Sequence, residues 1–385
     1  MKRILAAAVG IALLGLLPLS AGAATLAEAG KSAVLMDVTT GTVLYEHNSH
    51  EALAPASVTK VMTMLLIMEA VDSGKIALTD TVTASEAAAA KGGSQIYLKA
   101  GETMSVSDML KSIAVSSAND CACAMAEHIC GSESAFVEAM NRRAKELGMQ
   151  DTHFVNCTGL DDDDSAKLHR TSAYDIALMS RELLKNHPDI KKYTTIWMDT
   201  VRNGAFGLSN TNKLIRFYPG ATGLKTGYTA GAGYCLSASA QKEGMELIAV
   251  VMGAKTSQAR NAACKELLDY GFANFAVVAP EPEELPQVAV RLGKQTQVPV
   301  KMEETAGMLI EKSQRSGITT DISLEESVAA PVVRGQTLGS LSVKSGEQTL
   351  RQIPLVAAED VERLSTGDIF LAVLRRAAMA KETQE

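Results

Sequence analysis

Between Val61 and Ala70 only Thr63 and Glu69 interrupt a run of Val, Met, Leu, Ile and Ala. A helix that is apolar on every side cannot lie on a surface, so this one has to run through the middle of a domain. The chain opens it with polar chemistry, Pro55-Ala56-Ser57-Val58-Thr59-Lys60. Ser57 and Lys60 are three residues apart, on one face and a turn from each other. A lysine at the end of a buried helix is costly to keep charged, and its pKa falls towards neutrality. Lys60 is therefore a candidate general base and Ser57, at a helix N-terminus that favours developing negative charge, a candidate nucleophile.

The 385 residues carry a net charge of −7 and are 46% hydrophobic and 21% charged, a globular composition long enough for two domains. No basic stripe stands out, which argues against nucleic acid as a partner. Cys121, Cys123, Cys130, Cys157, Cys235 and Cys264 form no CxxC pair. Such dispersion does not fit a zinc site, and for the three near Asn119 a small buried hydrophobe is the plainer reading. The pattern calls for no metal and no cofactor. Met1-Lys2-Arg3, an apolar core from Ile4 to Leu19 and the small residues Ala21-Gly22-Ala23 read as a secretory signal peptide over residues 1–23. The mature protein is then exported, to the outer face of the cytoplasmic membrane or the cell wall.

Ser32–Met36 and Gly41–Tyr45 read as a hairpin. Leu110–Ile129 reads as a helix interrupted at Ser116–Asn119, followed by helices over Ala135–Leu147 and Thr171–Leu184. Leu224–Thr229, Tyr234–Ala240 and Leu247–Gly253 read as consecutive antiparallel strands. A helix over Asn261–Tyr270, ended by Gly271, closes the unit. Strands at both ends of a helical cluster predict one α+β domain over residues 24–275. A Pro- and Glu-rich bridge over 279–286 leads to short β-type runs, a small all-β domain over 287–360. Residues 366–385 hold an amphipathic helix (Asp368–Ala380) that either lies in a membrane interface or docks on its own domain.

A lone S-x-x-K is weak. Ser239-Ala240-Gln241-Lys242 has the same letters where a strand meets a turn, so residues three apart face opposite ways. Ser57 has company that Ser239 lacks. Ser117-Ala118-Asn119 breaks a helical segment, and Lys225-Thr226-Gly227 opens a predicted strand. In this order the three pieces match the set shared by penicillin-binding proteins and serine β-lactamases. A phosphate-binding loop over Gly220–Thr226 is a poorer fit, because Leu224 stands where Gly must precede the lysine and a strand follows instead of a helix. The run Asp161–Asp164 reads as a solvated loop. His153 and His169 have no partner at ligand spacing.

From Ala33 to Phe275 the chain resembles the D-alanyl-D-alanine carboxypeptidases, the low-molecular-mass penicillin-binding proteins. The likeness lies in P-A-S-x-T-K (Pro55–Lys60), S-x-N-D (Ser117–Asp120), G-L-D (Gly159–Asp161), K-T-G-Y-T (Lys225–Thr229) and the segment Arg260–Phe272. It implies a serine β-lactamase/transpeptidase-like fold, an antiparallel sheet with a helical cluster, followed by that family's β-rich stalk and terminal anchor. It also implies cleavage of peptidoglycan stem peptides ending in D-Ala-D-Ala through an acyl-enzyme on Ser57, with β-lactams as inhibitors. Lys60 would take the proton of Ser57, and Lys225 would help depress the pKa of Lys60. Ser117 would pass a proton to the departing amine. Asn119 would bond the substrate amide, and Thr226 with Arg260 would hold its carboxylate. The Ser57 and Tyr228 N–H groups, the latter beside Gly227, would form the oxyanion hole.

Two alternatives stay open at this level. A β-lactamase of class A needs a glutamate that activates water, and the nearest approach to E-x-x-L-N is Glu182–Asn186, with Lys185 where Leu is required. A non-catalytic envelope module would keep the pocket without turnover.

Overall fold

The structure, a computed structural model, describes residues 26–374 apart from Glu28, Asp163, 280–283, 304–306 and Ala372. The expected signal peptide and residues 375–385 of the terminal segment lie outside the described residues.

Five strands form the central sheet. They are β1 (Ser32–Asp37), β2 (Val43–His47), β3 (Ala221–Thr229), β4 (Gly233–Lys242) and β5 (Met245–Ala254), in the order β2-β1-β5-β4-β3 with every neighbour antiparallel. The apolar runs in β1 and β5 are nearly continuous because both faces of the sheet are covered. Val34, Met36, Ile248, Val250 and Met252 pack into a helical cluster, while Ala33, Leu35, Leu247, Ala249 and Val251 pack against the opposite side. The helix read as central, α1 (Lys60–Asp72), lies inside the first core, with Val61, Met62, Met64, Leu65, Ile67 and Met68 buried.

Around it stand α2 (Val106–Ser116), α3 (Asn119–Cys130), α4 (Glu133–Glu146) and α5 (Ala173–Asn186), with Ser105, Ser132 and Ser172 capping α2, α4 and α5 through their side chains. The expected interruption of the long helix is real: Ser117 takes a left-handed conformation (φ +63°) and α3 starts two residues on. The hairpin exists, with its second strand two residues later than expected.

One expectation fails. The helix expected over Asn261–Tyr270, α6 (Ser257–Asn274), begins four residues early on a Thr256 cap and runs through Gly271 instead of ending there. A Cβ at Gly271 would sit 2.4 Å from Leu247 Cδ1 and 3.0 Å from Leu35 Cδ2. The glycine lets the helix approach the sheet; it is not a cap.

The β-rich part follows. Phe275–Val278 pairs with Met308–Glu311, and a four-stranded sheet orders Val300–Met302, Gln348–Ala357, Thr337–Ser345 and Ile318–Leu324 around Leu338, Leu341, Val343 and Leu355. The short β-type runs expected in this part fall on strands, the one over residues 298–300 being split at Pro299 between Gln297–Val298 and Val300–Met302. The strands Met308–Glu311 and Ser327–Ala329 were not expected from the sequence. All six cysteines are free thiols.

Candidate active site

The nucleophile candidate sits on a single 3-10 turn, Ala56–Thr59, that runs directly into α1. At three residues per turn, side chains at i and i+3 eclipse. Lys60 Nζ accordingly lies 3.0 Å from Ser57 Oγ, and it donates to the Thr158 carbonyl at 2.7 Å. Ser57 is half-buried and Lys60 is 0% exposed. Burial lowers the Lys60 pKa to about 7, against a partial opposing pull from Cys157 and Asp120. Lys225 is 1% exposed and lies well below its ordinary pKa, through burial first and then repulsion from Lys60 and Arg260. Burial is the first cause of the shift at both amines, and the repulsion between them disfavours the charged form of either.

The three sequence pieces meet. Strand β3 lies at the sheet edge against the nucleophile turn, so close that a Cβ on Gly227 would stand 2.7 Å from Pro55 O and 3.1 Å from Ser57 N. Thr226 Oγ1 donates to Thr211 Oγ1 at 2.7 Å, and the Thr211 N–H donates to the Val115 carbonyl in the last turn of α2. That bridge ties the K-T-G strand to the helix end that carries Ser117, which is buried.

Asn119 is 2% exposed; its Nδ2 donates to Gly92 O at 2.7 Å, and its Oδ1 is buried with no partner among the described residues. An unpaired buried acceptor is costly, and a substrate N–H would satisfy it. Asp120 holds the facing segment through the N–H groups of Ile96 and Leu98.

Arg260, near the start of α6, is 5% exposed, gripped by Asn261 Oδ1 and bonded to Cys235 O, with its guanidinium over the Tyr234 ring. Tyr234 in turn lies against the half-exposed Tyr228 at 4.3 Å between centroids. A cavity of about 700 Å³ adjoins the site, lined by Leu53, Ala54, Asp161, Arg170 and Gly231 among others.

Sequence reasoning missed three parts of this frame. The Thr158 carbonyl and the Thr211 bridge act through long-range contacts that no spacing encodes. Gly159 was noticed as part of G-L-D but given no task; with φ +79°, its missing Cβ makes room for Ala56 O, which would otherwise be 1.9 Å away. Only its identity as glycine signalled this. Glu182, the nearest candidate for a β-lactamase glutamate, is engaged by Arg143 and Asn186. Arg143 also binds Glu69, nine residues along α1 from Lys60 and so roughly 13 Å from it.

Comparison with known proteins agrees with this geometry. Residues 20–256 match the family profile described as D-alanyl-D-alanine carboxypeptidase, and residues 279–363 match the penicillin-binding protein 5 C-terminal domain. The chain is 45% identical to the D-alanyl-D-alanine carboxypeptidase DacF of Bacillus subtilis, over 91% of this chain and 90% of that one. Among solved structures, penicillin-binding protein 5 from Haemophilus influenzae superposes with a TM-score of 0.75 at 31% identity, covering 87% of this chain and 98% of that one. Penicillin-binding protein D2 from Listeria monocytogenes, solved in an ampicillin-bound form, has a TM-score of 0.58 at 32% identity, covering 63% and 98%. The edge strand, the buried amine and the serine beside it thus stand in a chain that belongs to the D-alanyl-D-alanine carboxypeptidase family of serine peptidases.

Proposed function

We propose that this serine-type carboxypeptidase removes the terminal D-Ala of peptidoglycan stem peptides through an ester on Ser57. The observation that carries the reading is the fully buried amine of Lys60, 3.0 Å from Ser57 Oγ, with a pKa near neutrality. A neutral Lys60 accepts the Ser57 proton as Oγ attacks the carbonyl between the two D-alanines. The oxyanion forms against the N–H groups of Ser57 and Tyr228, each such donor commonly being worth about 3 kcal/mol. The C–N bond breaks, the leaving amine takes a proton by way of Ser117, and water then hydrolyses the ester. Asn119 Oδ1 accepts from the substrate amide. The substrate carboxylate meets Thr226, Lys225 and Arg260, and its charge draws Lys225 back to the ammonium form. A β-lactam, whose strained amide mimics the same unit, acylates the same serine.

Two measurements test this together. Intact mass after penicillin treatment should show one adduct, mapped to the Ser57 peptide. D-Ala should be released from diacetyl-Lys-D-Ala-D-Ala. Labelling without any D-Ala release would return the reading to a binding module, and an adduct on another residue would remove Ser57 as nucleophile.

The same proposal sets the enzyme at the outer face of the cytoplasmic membrane or in the cell wall. Residues 366–371, 373 and 374 are helical, and Phe370, Leu371, Val373 and Leu374 are 64%, 54%, 62% and 49% exposed. Side chains docked on their own domain would be covered, so their exposure favours a membrane interface. Among the described residues no helix is long and apolar enough to cross a membrane. Deleting residues 368–385 should move the protein from membrane to soluble fractions; a full-length chain already soluble would sink the anchor.

A further inference from the structure

Of six histidines only His169 is buried, and the mechanism above does not use it. Its surroundings fix its protons. His169 Nδ1 lies 3.2 Å from the Val155 nitrogen and accepts that N–H. Its Nε2 lies 2.8 Å from Thr59 Oγ1, which itself donates to the Ala56 carbonyl at 2.8 Å. A hydroxyl has one proton. Thr59 gives it to Ala56, so it accepts from His169, and the imidazole is the neutral tautomer with hydrogen on Nε2. The Phe154 ring packs edge-on against it at 5.6 Å.

The relay ends at the residue before the nucleophile. Ala56 holds φ +49°, a left-handed conformation that a residue with a Cβ adopts only under constraint. Its carbonyl is fixed from one side by Thr59 and closed in on the other by Gly159. The orientation of that peptide sets where the Cα–Cβ bond of Ser57 points.

We propose that His169 is a positioning residue, whose Nε2–H acts through Thr59 on the Ala56 carbonyl to aim Ser57 Oγ at Lys60 Nζ. This rests on Ser57 being the nucleophile. Burial holds His169 down to about 4, and the nearby charges of His153, Arg170 and Lys60 act in the same direction. Protonation would place hydrogen on Nδ1, head-on against the Val155 N–H, and break the relay. The imidazole is depressed in the fold relative to about 6.5 in an unfolded chain. Its contribution to stability is therefore complete above that value and is lost as pH falls towards 4. Through the range where Lys60 titrates, the relay stays intact.

The full chain with His169→Asn, His169→Gln, Thr59→Val or Thr59→Ser tests this, read by the rate and saturation of Ser57 acylation by penicillin, with Tm alongside. Asn keeps an acceptor near the Nδ1 position but does not reach Thr59, whereas Gln places a donor near Nε2. Asn and Val should slow acylation at saturating penicillin by about 10-fold or more, with the saturation constant within about 3-fold. Gln and Ser should stay within about 3-fold of the wild-type rate. Nitrogen-15 signals of the His169 ring should report hydrogen on Nε2 at neutral pH and titrate near 4. Equal slowing by Asn and Gln in step with lost Tm, or hydrogen found on Nδ1, overturns the proposal. Should penicillin never label wild-type Ser57, the function reading fails first, which the wild-type control reveals by itself.

Discussion

The chain carries S-x-x-K twice, and the two copies could hardly be more different. Ser57 and Lys60 lie on a 3-10 turn entering a helix, and the side chains converge to 3.0 Å. Ser239 and Lys242 lie on β4, where successive side chains alternate between faces. Ser239 is buried and bonded to Thr222 Oγ1, while Lys242 Nζ rests over the rings of Tyr218 and Phe272. Identical letters bring a hydroxyl and a buried amine to hydrogen-bonding distance in one place and give two unrelated structural contacts in the other. The lesson is that backbone period decides which side chains meet, and burial then decides whether an amine can act as a base.

The largest expected break in the comparison is loss of the amine. Lys60→Met should slow penicillin acylation by about 10^2 to 10^4-fold, the usual reach of a general base. In the wild type the rate should climb tenfold per pH unit up to about 7 and level off above it, because Lys60 must be neutral to work. The linked stability has a definite sign. The folded chain holds fewer protons than the unfolded one between about 7 and 10.5, so stability should rise across that window. A profile flat from pH 5 to 9 would show that Lys60 is not the base.

Gly227→Ala should come next. Its Cβ would press on Pro55 O, which is backbone and cannot swing aside, and so shift the nucleophile turn. A displacement of that kind costs about 10^2-fold in rate. Acylation at the wild-type rate would mean that β3 does not lock the turn.

The smallest effect belongs to the other copy. Lys242→Met should leave acylation unchanged and cost about 1 kcal/mol of stability in denaturant melts, the scale of its cation–π contacts. Any clear loss of acylation would end the claim that this copy is structural.

Much of the fold was legible because its signals are local and periodic. The central helix declared itself by having no polar face, and β3, β4 and β5 by short β-type runs following one another with turns between. Gly271 was misread because a glycine near a helix end serves equally as a cap or as a point of close approach, and only the position of Leu247 distinguishes them. Within the candidate site, Ser57 and Lys60 could be picked out by residue type and spacing, and Ser117, Asn119, Lys225 and Thr226 by the order of the triplets, whereas Arg260 came only from the family resemblance. His169 could not: a lone histidine says nothing until Thr59, 110 residues away in the chain, is beside it.

The order of the motifs, the buried character of α1 and the spacing of Ser57 and Lys60 were written in the amino acids, since each depends only on neighbours within a turn or two. The direction of the Lys60 shift followed from the buried helix, but tertiary structure alone decided its extent and the partners of the Thr158 carbonyl, of Thr211 and of His169. The reason is physical. Desolvation and hydrogen-bond satisfaction depend on everything packed around a group, and those neighbours come from distant parts of the chain.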